Sequence, residues 1–412
     1  MTSESETLNE FAEMISSLYE QIILDDIPER PAYRGYLDRD TEFALDDQGY
    51  RDSYLGLLQR VFALPNIADM WSEDGVQELG HGLIVELAQL KLQGTASPDF
   101  AHTAQEWLDK IQVEFEEFEC YGVVSGLVVS SPLAVGDVTF LPASHAPDLE
   151  GMLAGRFLRD LNSWRESISY SKVTAEWRRA SQIHREKTEV ALNVLRFVAS
   201  LVWHDQPTRH VYVESAEPKR VSYTLVVSSK GAVSSVGASE FDPLPIELTD
   251  EMLPYAQFYG FTQIQSMLEE PSPTEIERAF LTAIQWFGRA TQEQLPLVAF
   301  IKFYIAIEVA LKRPGEHAKS VLPRRIGVLL SPWDKSRLAT LERDLGGFID
   351  ERNAVFHSGL PLAASPDRLR WDSRILSRQV LHQIRQKLAS ENWQTTDDLI
   401  AWVDNQYSDY LS

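Results

Sequence analysis

The sequence predicts a mixed α+β N-terminal region followed by an all-α helical bundle, and three observations carry that expectation. Beyond Pro271 apolar residues recur at helical spacing as far as Leu388, whereas between Tyr121 and Val227 short Val-rich and aromatic runs stand between turn residues. The junction is itself marked: Pro271-Ser272-Pro273 breaks what precedes it, and Thr274 with Glu277 three residues on has the spacing of a capping box. The third observation is charge. The chain carries a net −23, yet residues 271–390 hold 18 Lys+Arg against 12 Asp+Glu, while residues 1–270 hold 20 against 44. The basic stretch of an acidic protein therefore coincides with the predicted bundle.

A chain of 412 residues, 44% of them hydrophobic, can fill two or three cores. We read residues 1–112 as mainly helical, 113–265 as an α+β domain that stands alone or forms one unit with the first, and 271–412 as the helical bundle. The single cysteine, Cys120, excludes an internal disulfide framework and a Cys-based zinc site, and fits a reducing cytoplasm. No apolar run approaches the roughly 20 residues that span a bilayer, and the first ten residues are acidic. A soluble, unprocessed, cytoplasmic protein with no membrane partner is expected.

Taken in order, Leu8, Phe11, Met14, Ile15 and Leu18 and then Leu83, Ile84, Leu87 and Leu90 have helical spacing, with an irregular acidic segment, 27–50, between them. Val123 to Val129 and then Val138 and Phe140 predict two short strands joined by a Ser-Ser-Pro turn. A long helical region is expected from about Leu153 to Val202. Strands should resume at His210–Val213 and Ser222–Val227, and Ser228–Ser239 reads as a solvated hairpin or loop. In the bundle, helices are predicted from Thr274 to about Arg289, Pro296 to Leu311, Lys319 to Leu330, Lys335 to Phe356 and Asp372 to Leu388, with Gly359 at a left-handed cap.

One stretch concentrates chemistry: Glu351-Arg352-Asn353-Ala354-Val355-Phe356-His357-Ser358-Gly359. Cleaving RNA without a metal needs a base for the 2′-hydroxyl, an acid for the leaving 5′-oxygen and positive charge on the phosphate. His357 can transfer protons near neutral pH, Arg352 offers a permanently charged bidentate fork, and Asn353, one turn from His357, can orient the ring or bind substrate. In an ideal helix, however, Arg352 is rotated by roughly 140° from His357, so one helix cannot aim both at one small target. The arginine wraps round, the last turn is distorted, or two copies face each other across a dimer axis. The bland alternative makes Arg352 a surface ion pair with Glu351 and His357 a partner of the helix dipole.

Glu308, set among Ile305, Ala306, Ile307, Val309 and Leu311, needs a cation, and Arg352 and Arg325 are equal candidates. Arg374, Arg378, His382 and Arg385 recur at spacings of four, four and three as a basic stripe, which Arg324-Arg325 and Arg368-Arg370 could extend along a phosphate backbone. A solvated helix face is the simpler account. His81, His102, His145, His184, His204, His210, His317 and His382 show no HExxH or paired-carboxylate spacing, so no metal and no cofactor are expected. Trp203-His204-Asp205 reads as a helix end rather than a dyad, and no GxSxG elbow or P-loop is present.

The Arg-x4-His pattern with Asn353 after the arginine, the following Ser358-Gly359, and the Glu-x3-Lys-Arg feature Glu308-Val309-Ala310-Leu311-Lys312-Arg313 resemble the HEPN ribonucleases, and among them the ApeA-like HEPN domains of prokaryotic defence proteins. The resemblance covers residues 271–412. It implies a metal-independent endoribonuclease with Arg352, Asn353 and His357 catalytic, Glu308 and Lys312 in support, and Arg324, Arg325, Arg370, Arg374, Arg378, His382 and Arg385 binding RNA. It further implies a homodimer through the bundle and a role in anti-phage defence, cutting tRNA or mRNA. A constitutively active RNase is toxic, so the acidic residues 1–270 are expected to cover the basic bundle until a phage-derived or small-molecule trigger releases it. The alternative is a catalytically silent HEPN dimerisation or RNA-binding module attached to a ligand-sensing N-terminal domain.

Overall fold

The computed structural model describes residues 4–25, 27–37, 41–64, 67–95, 98–113, 115–124, 126–145, 167–203, 221–228, 233–236, 246–293, 295–331 and 335–411. The N-terminal region mixes strands with helices and the C-terminal region is mostly helical. The chain divides into two compact units: Met1–Cys120 with Lys172–His184 and Val226–Ser234, and Tyr121–Ser171 with Arg185–Leu225 and Ser235–Ser412. No helix among the described residues is long and apolar enough to cross a membrane.

The first unit is built on α1 (Glu4–Gln21), α4 (Glu73–Leu92) and α5 (Phe100–Val113). Phe11, Ile15 and Leu18 of α1 lie at spacings of four and three and are buried against one core with Leu83, Ile84 and Leu87 of α4 and Trp107 of α5. Ser72 caps α4 by accepting the Gly75 N–H at 2.9 Å. The 27–50 segment is not wholly irregular, as the sequence led us to expect. Tyr33–Tyr36 (β1) and Glu42–Leu45 (β2) pair antiparallel, Tyr33 opposite Leu45, and Phe43 is buried in the same core. Strands of four residues set among acids and a proline are too short to display alternation. A π-helical turn, Gly49–Leu55, then leads into α2 (Gly56–Phe62), and α3 (Ile67–Met70) follows.

The larger sheet has the order β5-β6-β7-β3-β8-β9, with β3 at Glu116–Val124, β5 at Leu133–Val135, β6 at Val138–Pro142, β7 at Ser167–Ala175, β8 at Val221–Ser228 and β9 at Val233–Val236. β4 (Leu127–Val129) pairs parallel with β10 (Ile246–Leu248). The Ser-Ser-Pro turn therefore joins β4 to β5, and the hairpin turn that pairs Leu133 with Phe140 is at Gly136, φ +55°. The helical region expected from Leu153 to Val202 is corrected over 167–175. Residues 146–166 lie outside the described ones, 167–175 is strand, and α6 begins only at Trp177 and runs to Val202. Ser-Ile-Ser-Tyr-Ser-Lys-Val-Thr-Ala carries β-branched and aromatic residues in near alternation, and Glu176 starts a new helix by accepting the Arg178 and Arg179 N–H groups at 2.9 and 3.1 Å. His210–Val213 and most of Trp203-His204-Asp205 fall outside the described residues.

After α7 (Leu253–Phe258) and α8 (Phe261–Glu269) the bundle begins with α9 (Glu275–Thr291). Its capping box is formed on both sides: Thr274 Oγ1 accepts the Glu277 N–H at 3.3 Å and Glu277 Oε2 accepts the Thr274 N–H at 2.8 Å. α10 (Pro296–Leu311), α11 (Ala318–Leu330) and α12 (Lys335–Ser358) follow. α13 (Pro366–Leu388) starts six residues before the Asp372 expected, because Ser365 caps it and Pro366 suits its first turn. The sequence reading also passes over α14 (Thr396–Leu411), which buries Leu399, Ile400 and Val403.

These helices are tied by Arg325 of α11, whose guanidinium is fully buried. It donates to Glu316 Oε2 and Oε1 at 2.6 and 2.9 Å, to Asp404 Oδ1 and Oδ2 at 3.2 and 3.0 Å, and to the Leu311 carbonyl at 2.9 Å. Hydrogen bonds from Arg325 hold the Glu316 carboxyl down at about 2. Because that value is depressed, the pair's contribution is complete above the ordinary carboxylate range and is lost as pH falls toward 2. Replacing Arg325 by Ala strands two carboxylates, and we expect a loss of about 3–5 kcal/mol in urea unfolding followed by circular dichroism. The variant should also lose less stability than the parent between about pH 4 and pH 2.

Candidate functional site

Two helices bring the conspicuous residues together. Glu308 lies in the last turn of α10 and Arg352 near the end of α12, and Arg352 Nη2 donates to Glu308 Oε2 at 3.1 Å. The cation for Glu308 is thus Arg352, while Arg325 belongs to Glu316 and Asp404. Arg352 Nη1 donates to Asn353 Oδ1 at 3.1 Å. The guanidinium carbon stands 5.1 Å from the ring centroids of both Tyr304 and Phe356. Tyr304 precedes Glu308 by one turn on the same face of α10. Burial first, and the Glu308 charge second, push its ionisation above the ordinary tyrosine value.

Arg352 is therefore fixed on two sides and at two nitrogens, yet it is not exhausted as a donor. A guanidinium has five N–H groups; two are engaged here, and Nε is buried without an acceptor. His357 has a different setting. It is exposed in the last turn of α12, its ring edge-on to Phe356 at 5.6 Å, and it makes no hydrogen bond to another described residue. The rotation anticipated between the two positions is visible in their surroundings: Arg352 is engaged by α10 and His357 faces outward. Phe356, 63% exposed, touches both. Asn353 is engaged by Arg352 rather than oriented on the His357 ring.

The turn beyond His357 is held from inside the same helix. Gly359 has φ +74°, the left-handed conformation expected of a cap, and its N–H reaches the Val355 carbonyl at 2.9 Å. Glu351, which the sequence offered as a partner for Arg352, instead accepts the N–H groups of Leu362, Ala363 and Ala364 at 2.6, 2.8 and 3.0 Å. Burial raises its carboxyl, but these three bonds outweigh that and hold it below the usual range.

The remaining positions are dispersed. Lys312 stands half-buried where α10 ends, its N–H on the Glu308 carbonyl. Arg324 pairs with Asp404 at 3.4 Å and lies over the Tyr407 ring. Arg325 is buried as described, and Arg370 is half-buried near Asp367 and Glu293. The stripe on α13 is corrected: Arg374 is 2% exposed and Arg385 9% exposed, while Arg378 and His382 are half-buried, so the row is not a solvated basic face. It runs along the arc that also buries Ser377, Leu381 and Ile384, because spacings of three and four mark one face without saying which way it looks. Burial, then the neighbouring Arg378 charge, lowers Arg374 to about 9. Arg378 donates to the Ser200 carbonyl at 3.3 Å and His382 meets Gln386 at 3.1 Å.

Sequence reasoning missed Tyr304 and Phe356. The available signals were an aromatic one turn before Glu308 and an aromatic beside His357. The chain matches no protein-family model, no curated protein and no solved structure.

Replacing Glu351 by Ala should detach the 360–364 turn. Amide exchange at Leu362, Ala363 and Ala364 is the measurement, and we expect at least tenfold faster exchange, in line with about 1.5–3 kcal/mol for hydrogen bonds to a charged group. In the parent protein the same amides should be protected at neutral pH and lose protection as pH falls below the ordinary glutamate range.

Proposed function

We infer that this protein is a metal-independent endoribonuclease of the HEPN type acting in anti-phage defence, dimeric through its C-terminal bundle. The observation that carries the reading is the Arg352 guanidinium, oriented by Glu308, Asn353, Tyr304 and Phe356 with N–H groups left over, five residues before an exposed histidine on the same helix. A preorganised fork with unengaged donors suits the non-bridging oxygens of a phosphate as their charge grows.

In the proposed reaction, one His357 removes the proton from a ribose 2′-hydroxyl, whose oxygen attacks the adjacent phosphorus. A second His357, from the partner protomer, protonates the departing 5′-oxygen. The products are a 2′,3′-cyclic phosphate and a 5′-hydroxyl, with no co-reactant consumed. The outward aspect of His357 supports two copies of it sharing one cleft. tRNA or mRNA is the substrate class on this reading, and the acidic N-terminal region restrains the site until a phage-derived or small-molecule trigger acts.

One observation favours a second reading, a catalytically silent RNA-binding or dimerisation module: His357 has no hydrogen-bonding group among the described residues to fix its tautomer. Cleavage assays on the full chain decide between them. On the first reading His357→Ala lowers cleavage by about 10²–10⁴-fold, the range for a general acid or base. Arg352→Lys also lowers it, because a point charge does not replace the fork, and EDTA leaves it unchanged. Cleavage indifferent to His357→Ala, or abolished by EDTA, defeats the mechanism. RNA that is bound but remains intact on long incubation selects the silent module.

A further inference from the structure

At the Arg352 site a buried donor and a carboxylate oxygen stand one turn apart on α10, and neither is used. Tyr304 is 1% exposed, and its hydroxyl is buried with no hydrogen-bond partner among the described residues. Glu308, four residues on along the same face, is engaged at Oε2 by Arg352 Nη2 at 3.1 Å, and its Oε1 accepts from no described residue. A carboxylate can accept at both oxygens. The hydrogen bond between the two side chains is thus unmade.

Packing does not call for the hydroxyl. Phe300 and Phe348 meet edge-on at 5.0 Å, Phe348 lies 6.3 Å from the Tyr304 ring, and Phe303 is fully buried, so this core takes plain rings. A buried hydroxyl without an acceptor costs free energy that a phenylalanine in its place would not. Arg352 does not need it either, since the guanidinium lies over the ring, 5.1 Å from its centroid. What the hydroxyl senses is the ion pair: beyond the effect of burial, the Glu308 charge opposes ionisation of Tyr304 and the Arg352 charge favours it.

A bound phosphate changes what Glu308 requires. Both members of the pair are shielded, with side-chain exposures of 19% for Arg352 and 17% for Glu308. A phosphate oxygen competes with the Glu308 carboxylate for the N–H groups of one fork. As Arg352 turns to it, Glu308 keeps its charge on a helix whose Ala306, Ile307 and Leu311 are buried, and that is costly without another donor. Lys312 does not supply one in the structure: it has left the helix at φ −128°, ψ 132°, and the ion pair of Glu308 is with Arg352.

We propose that Tyr304 is a positioning residue: as a phosphate draws Arg352 away from Glu308, the Tyr304 hydroxyl donates to the Glu308 carboxylate in its place. Only hydrogen bonds change, and both groups keep their protonation. The exchange rests on the endoribonuclease reading for the phosphate at Arg352, but not on proton transfer by His357. Ring and hydroxyl then have separate duties, the ring under Arg352 in the free protein and the hydroxyl on Glu308 in the loaded one.

The test compares full-length parent, Tyr304→Phe, Glu308→Gln and the double variant in cleavage of single-stranded RNA. Tyr304→Phe should leave the unfolding midpoint unchanged or raise it, because it removes an unpaired buried hydroxyl, and yet lower kcat/KM by about 10–100-fold, the range for a hydrogen bond to a charged group. In the Glu308→Gln background, where no charge needs a donor, the same substitution should lower it less than about threefold. With an active parent, unchanged cleavage in Tyr304→Phe or an equal loss in both backgrounds overturns the exchange. A second measurement needs no turnover: NMR of protein carrying tyrosine labelled at Cζ, with the Tyr304 signal assigned by its disappearance in Tyr304→Phe. On addition of 2′-O-methyl RNA, which lacks the attacking hydroxyl, that signal should shift, and shift less in Glu308→Gln. No shift on binding, equal shifts in the two proteins, or no binding of the strand overturns the exchange. The nuclease reading fails separately: parent and His357→Ala proteins would then cleave equally while the Tyr304 signal still shifted.

Discussion

The pairing of two arginines with three carboxylates inside the helical bundle is the constraint on which the C-terminal unit rests. Arg325 is fully buried, and an unpaired guanidinium there would be several kcal/mol too costly. Glu316 and Asp404 neutralise it, one from the connection after α10 and one from α14, while the Leu311 carbonyl takes a further N–H. Three separate pieces of chain must be in place before that cation is satisfied. The same arrangement fixes the end of α10, where Glu308 sits. Because Arg325 is fully committed, Glu308 is left to Arg352, and the orientation of the candidate catalytic arginine follows from how a different arginine is buried.

The end of α12 then does two things at once. Arg352 turns toward α10, between two rings and against Glu308, whereas His357 faces outward on the far side of Phe356. The five-residue separation that made this pattern look geometrically awkward is what allows one helix end to hold a fixed cation inside and a titratable ring outside. Glu351 supplies the restraint that a helix terminus otherwise lacks. By gathering three successive N–H groups of the following turn it holds the chain close behind the histidine.

What could be read from the sequence, and what could not, follows the range of the interactions involved. The Thr274–Glu277 capping box, Pro296 in a first turn and Gly359 at a left-handed cap are satisfied within a few residues, so the sequence alone locates them. The Glu308 partner needed tertiary information, since Arg325 and Arg352 were chemically equivalent candidates. β7 was submerged in a helical reading because nine residues of near alternation directly precede a strongly periodic helix, and the boundary depends on Glu176. α14 is absent from the sequence expectations, although Asp397 and Asp398 open it and its apolar residues Leu399, Ile400 and Val403 lie in the core.

Regional charge proved the least direct of the sequence signals, for a physical reason. Much of the bundle's arginine and lysine is buried or paired with the bundle's own carboxylates, some of them in the last 22 residues, rather than left free at the surface. Arg325, Arg374 and Arg385 are buried, Arg313 pairs with Asp397, Arg324 with Asp404, Lys302 with Glu293 and Lys319 with Asp350. A phosphate backbone is attracted by charge it can approach, and counterion release scales with the phosphates neutralised rather than with net composition. Any affinity of this unit for a nucleic acid must therefore lean on groups that are exposed. The conspicuous ones are rings: Phe356 beside Arg352 and His357, and Tyr255 with Phe258 along α7. Stacking is short-ranged and available only to unpaired bases, so on the nuclease reading proposed above exposed rings such as Phe356 would favour open strands over duplexes.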